Sequence, residues 1–414
     1  MRAVLIGQKL KKAGGIQQRV LPKGDVLFPV KVINFTLWAV MLQCGGESQS
    51  IRDVKAGTTG NWEIMNRPQD KKIKNIKFKI KEMLFLTLSK AKKEPLDMKN
   101  VKSIGVLLFN VGLGDVIVAT GIFRELKKHG YQVSVFVDAK SAFLFERNMN
   151  VENVIVVKRK GIIDNYKELY FDLLIDLYSR VDEHFNIRYL SVITKIKHRY
   201  CIGFDVKNTK VYNDNIIPAS KEIHLTDAYA SLLNHIGIHD ADLSYDIYLP
   251  EEEKTQAKGF LAPYAHNRIV AFNPYASNDT RSFTSQQIDE LLRLLQKNDD
   301  VIVIIIGEKN KIADIEERER VIKNPFESFW GAAAMVAYSD MVISVETSIV
   351  HLANALDKEL VSVYSSEKFG GYESNFLFAP HYDKAVQLIA PNGAARNMNI
   401  DVVFSYVKIF LNSK

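Results

Sequence analysis

The sequence predicts an α/β protein built of two doubly wound domains that face each other across a cleft. Three observations predict it. Short continuous apolar runs of strand length alternate with helix-patterned segments, as in parallel sheets covered on both faces. The alternation runs once from Val101 and restarts at Arg268, after the connecting stretch "EEEKTQAKGFLAPYAHN". The chain has 414 residues, too many for one ordinary core. The boundary is placed near residues 250–266, giving an N-terminal domain over 101–255 and a C-terminal domain over 256–414 that closes on a C-terminal helix.

Residues 1–64 come first and fit neither domain. Pieces such as "VLFPVKVINFTLWAVML" alternate with "CGGESQS" and "AGTTGN", without a sustained period of strand or helix. They read as a loosely attached extension, and coherent patterning begins just after Met65, a candidate start. Residues 65–100 are a basic helix and linker. In "KKIKNIKFKIKEMLFLTLSKAKK", over 71–93, Ile73, Ile76, Ile80, Leu84 and Leu88 recur at three- and four-residue steps among lysines. Two placements fit such a helix: lying on an anionic membrane surface, or docked on the protein's own core with a solvated basic face. Pro95 ends the segment.

From Val101 each element has its own signal. "SIGVLLFN" is a buried strand, and "DVIVATGIFRELKKHG" is a helix stopped by Gly130. "QVSVFVD" is a second strand, "SAFLFERN" a short helix, and "NVIVVK" and "FDLLIDLY" two further strands. "LTDAYASLLNHIGI" is a helix with an apolar face. The second domain repeats the scheme. Its strands are "RIVAFN", "VIVIIIGE", "MVISVE" and "LVSVYSS", and its helices are "TSQQIDELLRLLQK", "FWGAAAMVAYS" and "IVHLANAL".

The totals narrow the function. Net charge is +7, which points to an anionic partner. The clearest basic cluster lies in the amphipathic segment 71–93, and no aromatic-basic recognition motif accompanies it, so a nucleic-acid partner is not expected. Cys44 and Cys201 follow no paired spacing, which argues against a zinc site or a disulfide framework and fits a reducing, cytoplasmic setting. No apolar run is long enough to cross a bilayer, and "MRAVLIGQKLKKAGG" lacks the order of a secretion signal.

Three loops carry chemistry. In "VGLGDVIVATG" a strand turns into a helix at Asp115, beyond the carboxyl end of the strand, where open parallel sheets bind ligands. Gly112 and Gly114 allow a tight turn there, and Asp115 either caps the helix or acts on a substrate. The spacing fits neither a dinucleotide fingerprint nor a Walker loop. In "SVETSIVHLANAL" a strand ends at Glu346 and a helix starts after Thr347 and Ser348, with His351 in its first turns. Free N–H groups at such a helix start make a phosphate cradle, to which both hydroxyls add. "NPYASNDTRSFT" places Asn273, Ser277, Thr280 and Arg281 at another strand end of the same domain, where Arg281 suits a diphosphate. Arg180 and His184 follow the strand "LLIDLY", either as a solvated loop or beside an anionic acceptor. His224 and Asp227 stand at a helix start, where capping accounts for them. Asp240 and Asp242 imitate a metal-binding Asp-x-Asp motif but lie in a polar stretch near the linker, and a metal is not expected.

Taken together, "VLLFNVGLGDVIVATGIFRELKK" and "VETSIVHLANALDKELVSVYSS" resemble the two signature segments of glycosyltransferase family 9, the ADP-heptose:lipopolysaccharide heptosyltransferases. "FDLLIDLYSR", "HRYCIGF", "HLTDAYASLLNHIGI" and "NPYAS" with Arg281 resemble landmarks between them. The resemblance covers roughly residues 101–390. It implies the GT-B arrangement, two Rossmann-like domains facing a central cleft, and inverting transfer of heptose from ADP-heptose to the lipopolysaccharide inner core. It implies Asp115 as general base, with Gly112, Gly114 and Arg180 on the acceptor side. Asn273, Ser277, Thr280, Arg281, Glu346, Thr347, Ser348 and His351 fall on the donor side. No metal or cofactor is implied, and segment 71–93 would hold the enzyme peripherally on the inner membrane. The chain departs from the family pattern at three places: Glu346 replaces an aspartate, Ser348 a glycine, and Thr280 the lysine before the arginine. The same fold also accommodates another nucleotide sugar or surface glycan, or a homologue that binds without catalysing.

Overall fold

The structure, a computed structural model, describes Ile80 and residues 94–412 except 159–162, 178–186, 205–210, 218–219, 221, 367 and 370–371. The readings of residues 1–64, of segment 71–93 apart from Ile80, and of Cys44, Arg180 and His184 fall outside the described residues.

The N-terminal sheet is built from β1 (Ser103–Leu107), β2 (Gln132–Val137), β3 (Asn153–Val156), β4 (Tyr170–Asp176), β5 (Lys197–Phe204) and β6 (Asp214–Ile216). All pair in parallel, in the order β3-β2-β1-β4-β5-β6. Helices α1 (Leu113–Val118), α2 (Thr120–Lys128) and α3 (Ile187–Lys195) lie among these strands in the chain, and α4 (Leu225–His235) follows β6. α5 (Glu251–Leu261) then leads into the second sheet. That sheet comprises β7 (Arg268–Asn273), β8 (Val301–Ile305), β9 (Val321–Lys323), β10 (Met341–Val345), β11 (Glu359–Tyr364) and β14 (Ala385–Ile389). It is again all parallel, in the order β14-β11-β10-β7-β8-β9. A small antiparallel pair, β12 (Lys368–Phe369) and β13 (Tyr372–Glu373), stands outside it. Its helices are α6 (Ser285–Leu295), α7 (Lys309–Ile312), α8 (Phe329–Ala337), α9 (Ser348–Ala355), α10 (Ser374–Leu377) and the C-terminal α11 (Ile400–Asn412).

Counted within its own sheet, each order is that of a doubly wound, Rossmann-like domain, with a switch point between the first and fourth strands. The central strands are buried along their length, β8 and β10 completely, because both faces are covered. Apolar clusters line both faces: Ile104, Val106, Ile122 and Phe123 on one side of the first sheet, and Leu107, Phe136, Leu190 and Ile193 on the other. The second sheet is likewise packed against α6 and α11 on one face and α8 and α9 on the other.

The structure refines three sequence readings. The helix expected from Asp115 to Gly130 is two helices meeting at Ala119. The cause is tertiary: the Thr120 hydroxyl donates to the Ile117 carbonyl and accepts from the Asp246 N–H, so the 240–250 segment lies across the joint. Gly121 lets it do so, since a Cβ there would stand 2.8 Å from the Ser244 carbonyl oxygen. "SAFLFERN" holds only a 3₁₀ turn, Ala142–Leu144. The connecting stretch contains α5, whose Ala257 and Leu261 are buried in the second domain's core.

Candidate active site

Both switch points open onto one cavity of about 850 Å³. Asp115 enters it from the loop after β1. Asn273 closes β7, and Glu346 follows β10. Of the expected residues, Gly112, Gly114, Asp115, Asn273, Ser277, Arg281, Glu346, Thr347, Ser348 and His351 line this cavity. Thr280 does not; it sits mid-way along a 3₁₀ turn, Asp279–Arg281, capped by Asn278.

Asp115 is held by its own loop. Its Oδ2 accepts the Gly112 N–H at 2.7 Å, which turns the carboxylate back over the start of α1. Crowding by protein withdraws water from the carboxylate and raises its pKa from 3.8 to about 6; the Gly112 N–H, Lys140 and Arg281 pull the other way. A base is most useful when its pKa lies near the working pH, so this aspartate is better suited to proton abstraction than a free one.

The donor-side loops brace each other. The buried Asn273 amide donates to the Ser344 hydroxyl at 3.0 Å and to the Thr347 hydroxyl at 2.9 Å. Thr347 in turn accepts the Ile349 N–H and caps α9. Asn273 and Thr347 thus fix the helix start that the sequence offers as an anion cradle. Arg281 donates to the Ser277 hydroxyl at 2.6 Å and stands 3.5 Å from Glu346. The Glu346 carboxylate is buried, and Ser365 donates to it at 3.4 Å. The longer acid at 346 therefore reaches the guanidinium, an arrangement that sequence reading did not anticipate.

The two domains touch at the site itself. His351 of α9 packs on Gly114: a Cβ at 114 would lie 2.8 Å from the His351 Cδ2 and 3.5 Å from the Ser348 Cα. Burial lowers the His351 pKa to about 4, so the imidazole is neutral near pH 7. Its Nδ1 has no hydrogen-bond partner among the described residues. Gly114→Ala is expected to wedge α1 from α9, because overpacking at close contacts costs about 1–3 kcal/mol. Turnover should fall roughly tenfold on that scale with ADP affinity changed less, which parallel kinetics and calorimetry would resolve.

Other expected residues have structural duties. His224 caps α4 through the Thr226 N–H at 3.2 Å and stacks on His381, with ring centroids 4.1 Å apart. Burial first, then the nearby imidazoles of His381 and His351, lower its pKa to about 3. Asp227 lies 3.7 Å from His381. Asp242 pairs with Arg124 at 3.1 Å and accepts the Ser244 N–H. No cluster of three or more His, Cys, Asp or Glu that could hold a metal occurs among the described residues. Sequence reading missed Lys140, Tyr229, Glu308, Lys311, Phe326 and Phe329, all of which line the cavity. Lys140, Glu308 and Lys311 each follow a strand's carboxyl end within a few residues, and that rule alone could have found them.

Two Rossmann-like domains opening onto a shared cavity are the GT-B arrangement. The family model described as "Glycosyltransferase family 9 (heptosyltransferase)" matches residues 171–400, more than half of the chain. The chain belongs to this family. It is 25% identical over 345 residues to an Escherichia coli (strain K12) protein named "Putative lipopolysaccharide heptosyltransferase 4", covering 80% of this chain and 94% of that one. Solved structures share the fold. A family 9 glycosyl transferase from Veillonella parvula DSM 2008 superposes with a TM-score of 0.62 at 17% identity, covering 78% of this chain and 99% of that one. E. coli ADP-heptose lps heptosyltransferase II gives 0.58 at 16%, covering 75% and 99%. E. coli heptosyltransferase WaaC with ADP gives 0.55 at 18%, covering 74% and 99%.

Proposed function

We propose that this chain transfers heptose from ADP-heptose to the lipopolysaccharide inner core with inversion, Asp115 serving as general base. The observation that carries the reading is the single cavity shared by Asp115 from the first domain and the Asn273–Arg281 and Glu346–His351 loops from the second. Asp115 takes the proton of an acceptor hydroxyl as its oxygen bonds to the anomeric carbon of the donor. The bond from that carbon to the diphosphate oxygen breaks, and its electron pair leaves with ADP. Attack opposite the leaving group inverts the centre. Arg281 and the N–H groups at the start of α9 stabilise the departing charge, so this chemistry calls for neither metal nor cofactor. The relatives support the donor and acceptor classes: one solved neighbour holds ADP, another ADP-2-deoxy-2-fluoro heptose, and the curated relative is named for lipopolysaccharide.

No helix among the described residues is long and apolar enough to cross a membrane. Peripheral attachment at the cytoplasmic face of the inner membrane would come from lysines in segment 71–93, each contributing ~1 kcal/mol near anionic lipid.

The test is a donor screen read by mass spectrometry, with truncated lipopolysaccharide as acceptor. The expected result is addition of one heptose mass with ADP-heptose and release of ADP. Transfer from a different nucleotide sugar would reassign the donor, and ADP binding without turnover of any donor would mark a binding protein.

A further inference from the structure

The C-terminal helix α11 is apolar on two opposite sides. Its inner side, with Ile400, Val403, Val407, Phe410 and Leu411, is buried in the second domain's core. Its outer side carries Val402, Tyr406 and Ile409, spaced by four and then three residues, so the three share one stripe. They are 43%, 39% and 66% exposed. A surface helix is ordinarily apolar toward its core and polar on the opposite face, and a helix apolar all round is ordinarily covered all round. Apolar residues scattered singly over a surface need no explanation, whereas a contiguous group of them marks a contact surface. The stripe also contains the small Ser405, whose hydroxyl is turned back onto the Val402 carbonyl at 2.7 Å. One flank carries Asp401 and Lys408, two helical turns apart and both exposed. Neither side chain makes an ion pair or hydrogen bond among the described residues.

The charges decide what covers the stripe. A helix that lies on an anionic bilayer has basic flanks, and this flank pairs one acid with one base. The lysine-rich segment 71–93 would bring many cations against Lys408, with Asp401 alone to meet them. A second copy of α11 matches the pattern by itself. When two identical helices run antiparallel about a two-fold axis perpendicular to both, the same flank of each meets across the contact, and residue i touches j wherever j touches i. With the axis at the level between Ser405 and Tyr406, Val402 of each copy stands level with Ile409 of the other. Each Tyr406 ring then stands level with the small Ser405 of the other copy, a large side chain opposite a small one. Asp401 of each copy comes within two residues of the level of Lys408 of the other. At 1.5 Å per residue that is about 3 Å along the helix, well within the reach of a lysine stem. The single flank thus supplies two ion pairs, one at each end of the contact.

We propose that α11 is the contact surface of a homodimer, pairing antiparallel with α11 of a second copy through Val402, Tyr406 and Ile409 and through reciprocal Asp401–Lys408 ion pairs. No residue of α11 lines the active-site cavity, so the inference stands apart from the heptosyl-transfer reading and leaves the cavity open in the dimer. The test is sedimentation velocity of the full-length protein from ~1 to ~100 μM, a range that reaches interfaces at the weak end. Wild type should show a reversible monomer–dimer equilibrium. Ile409→Glu should leave only monomer with an unchanged melting temperature, because the side chain it replaces is exposed. Asp401→Lys and Lys408→Asp should each weaken dimerisation roughly tenfold, since each turns two attractions per dimer into repulsions. The double variant Asp401→Lys/Lys408→Asp should return to within about threefold of wild type. That rescue is specific to antiparallel self-pairing: in a parallel pair each residue would face its own copy, and against a different partner the exchange would not compensate. A monomer at every concentration would overturn the proposal. So would a dimer that Ile409→Glu leaves intact, or charge variants whose effects add without rescue. A monomer that binds vesicles of phosphatidylglycerol and loses them with Ile409→Glu would assign the stripe to the membrane instead.

Discussion

Asp115→Asn is expected to lower heptosyl transfer by about 10²–10⁴-fold, the usual contribution of a positioned general base. Asparagine keeps the shape and can still accept the Gly112 N–H through its carbonyl, so the loop should survive. ADP affinity should stay close to wild type, because the donor contacts come from the second domain. Wild-type activity should show an acid limb: the carboxylate is the working form and its pKa is raised to about 6, so the rate falls as pH drops through that value. The stability effect has the opposite sense. The unfolded group titrates at 3.8 and the folded one at about 6, so the folded state holds its proton more tightly. Stability contributed by this group falls between those two pH values, and above them the ionised carboxylate is a constant cost. Asp115→Asn should therefore raise the melting temperature at pH 7.5 while lowering activity. A variant with near-normal turnover would remove Asp115 from the chemistry.

Arg281→Ala should weaken ADP binding by about 10- to 100-fold, the range for losing one or two charge-assisted hydrogen bonds to a phosphate. The side chain is 19% exposed and the Glu346 side chain 5%, so the guanidinium can turn toward a ligand while the acid behind it stays covered. The substitution has a second consequence. It takes a guanidinium from a buried carboxylate and removes one of the charges that restrain the Asp115 pKa. The acid limb of the rate should accordingly move to higher pH. Arg281→Lys restores the charge without the planar fork and should recover only part of the affinity. Calorimetry with ADP decides the matter: unchanged affinity would reduce Arg281 to a structural partner of Glu346.

Legibility in the sequence followed unbroken apolar runs. The strands read without difficulty, such as "VIVII" and "MVISV", are those covered on both faces, where nearly every residue must be apolar. Not read as strands were β6 and β9, with three residues each, β14, which is only half-buried, and β5, which opens on Lys197, His198 and Arg199 although Tyr200, Cys201 and Ile202 are buried. α5 was masked by its run of glutamates; it buries only Ala257 and Leu261. Among site residues, Asp115 and Glu346 were legible because each follows a strand's carboxyl end, where open parallel sheets bind ligands, although helix capping accounts equally well for an aspartate at 115. Lys140 was passed over, since one more lysine in a turn is ordinary solvated surface.

By itself the sequence determined the fold class, the alternation of strand and helix, and the three loops that bear the chemistry, because these depend on local pattern and on the rule that parallel sheets bind at their carboxyl ends. Only the tertiary structure decided which groups meet. It brought Glu346 to Arg281, set His351 on Gly114, stacked His224 on His381 and placed Lys140 near Asp115. The partners in these pairs are separated by as much as 237 residues in the case of Gly114 and His351 (351 − 114), and no local pattern encodes such a meeting. The raised pKa of Asp115 belongs to the same class, since desolvation depends on everything packed around a carboxylate rather than on its neighbours in the chain.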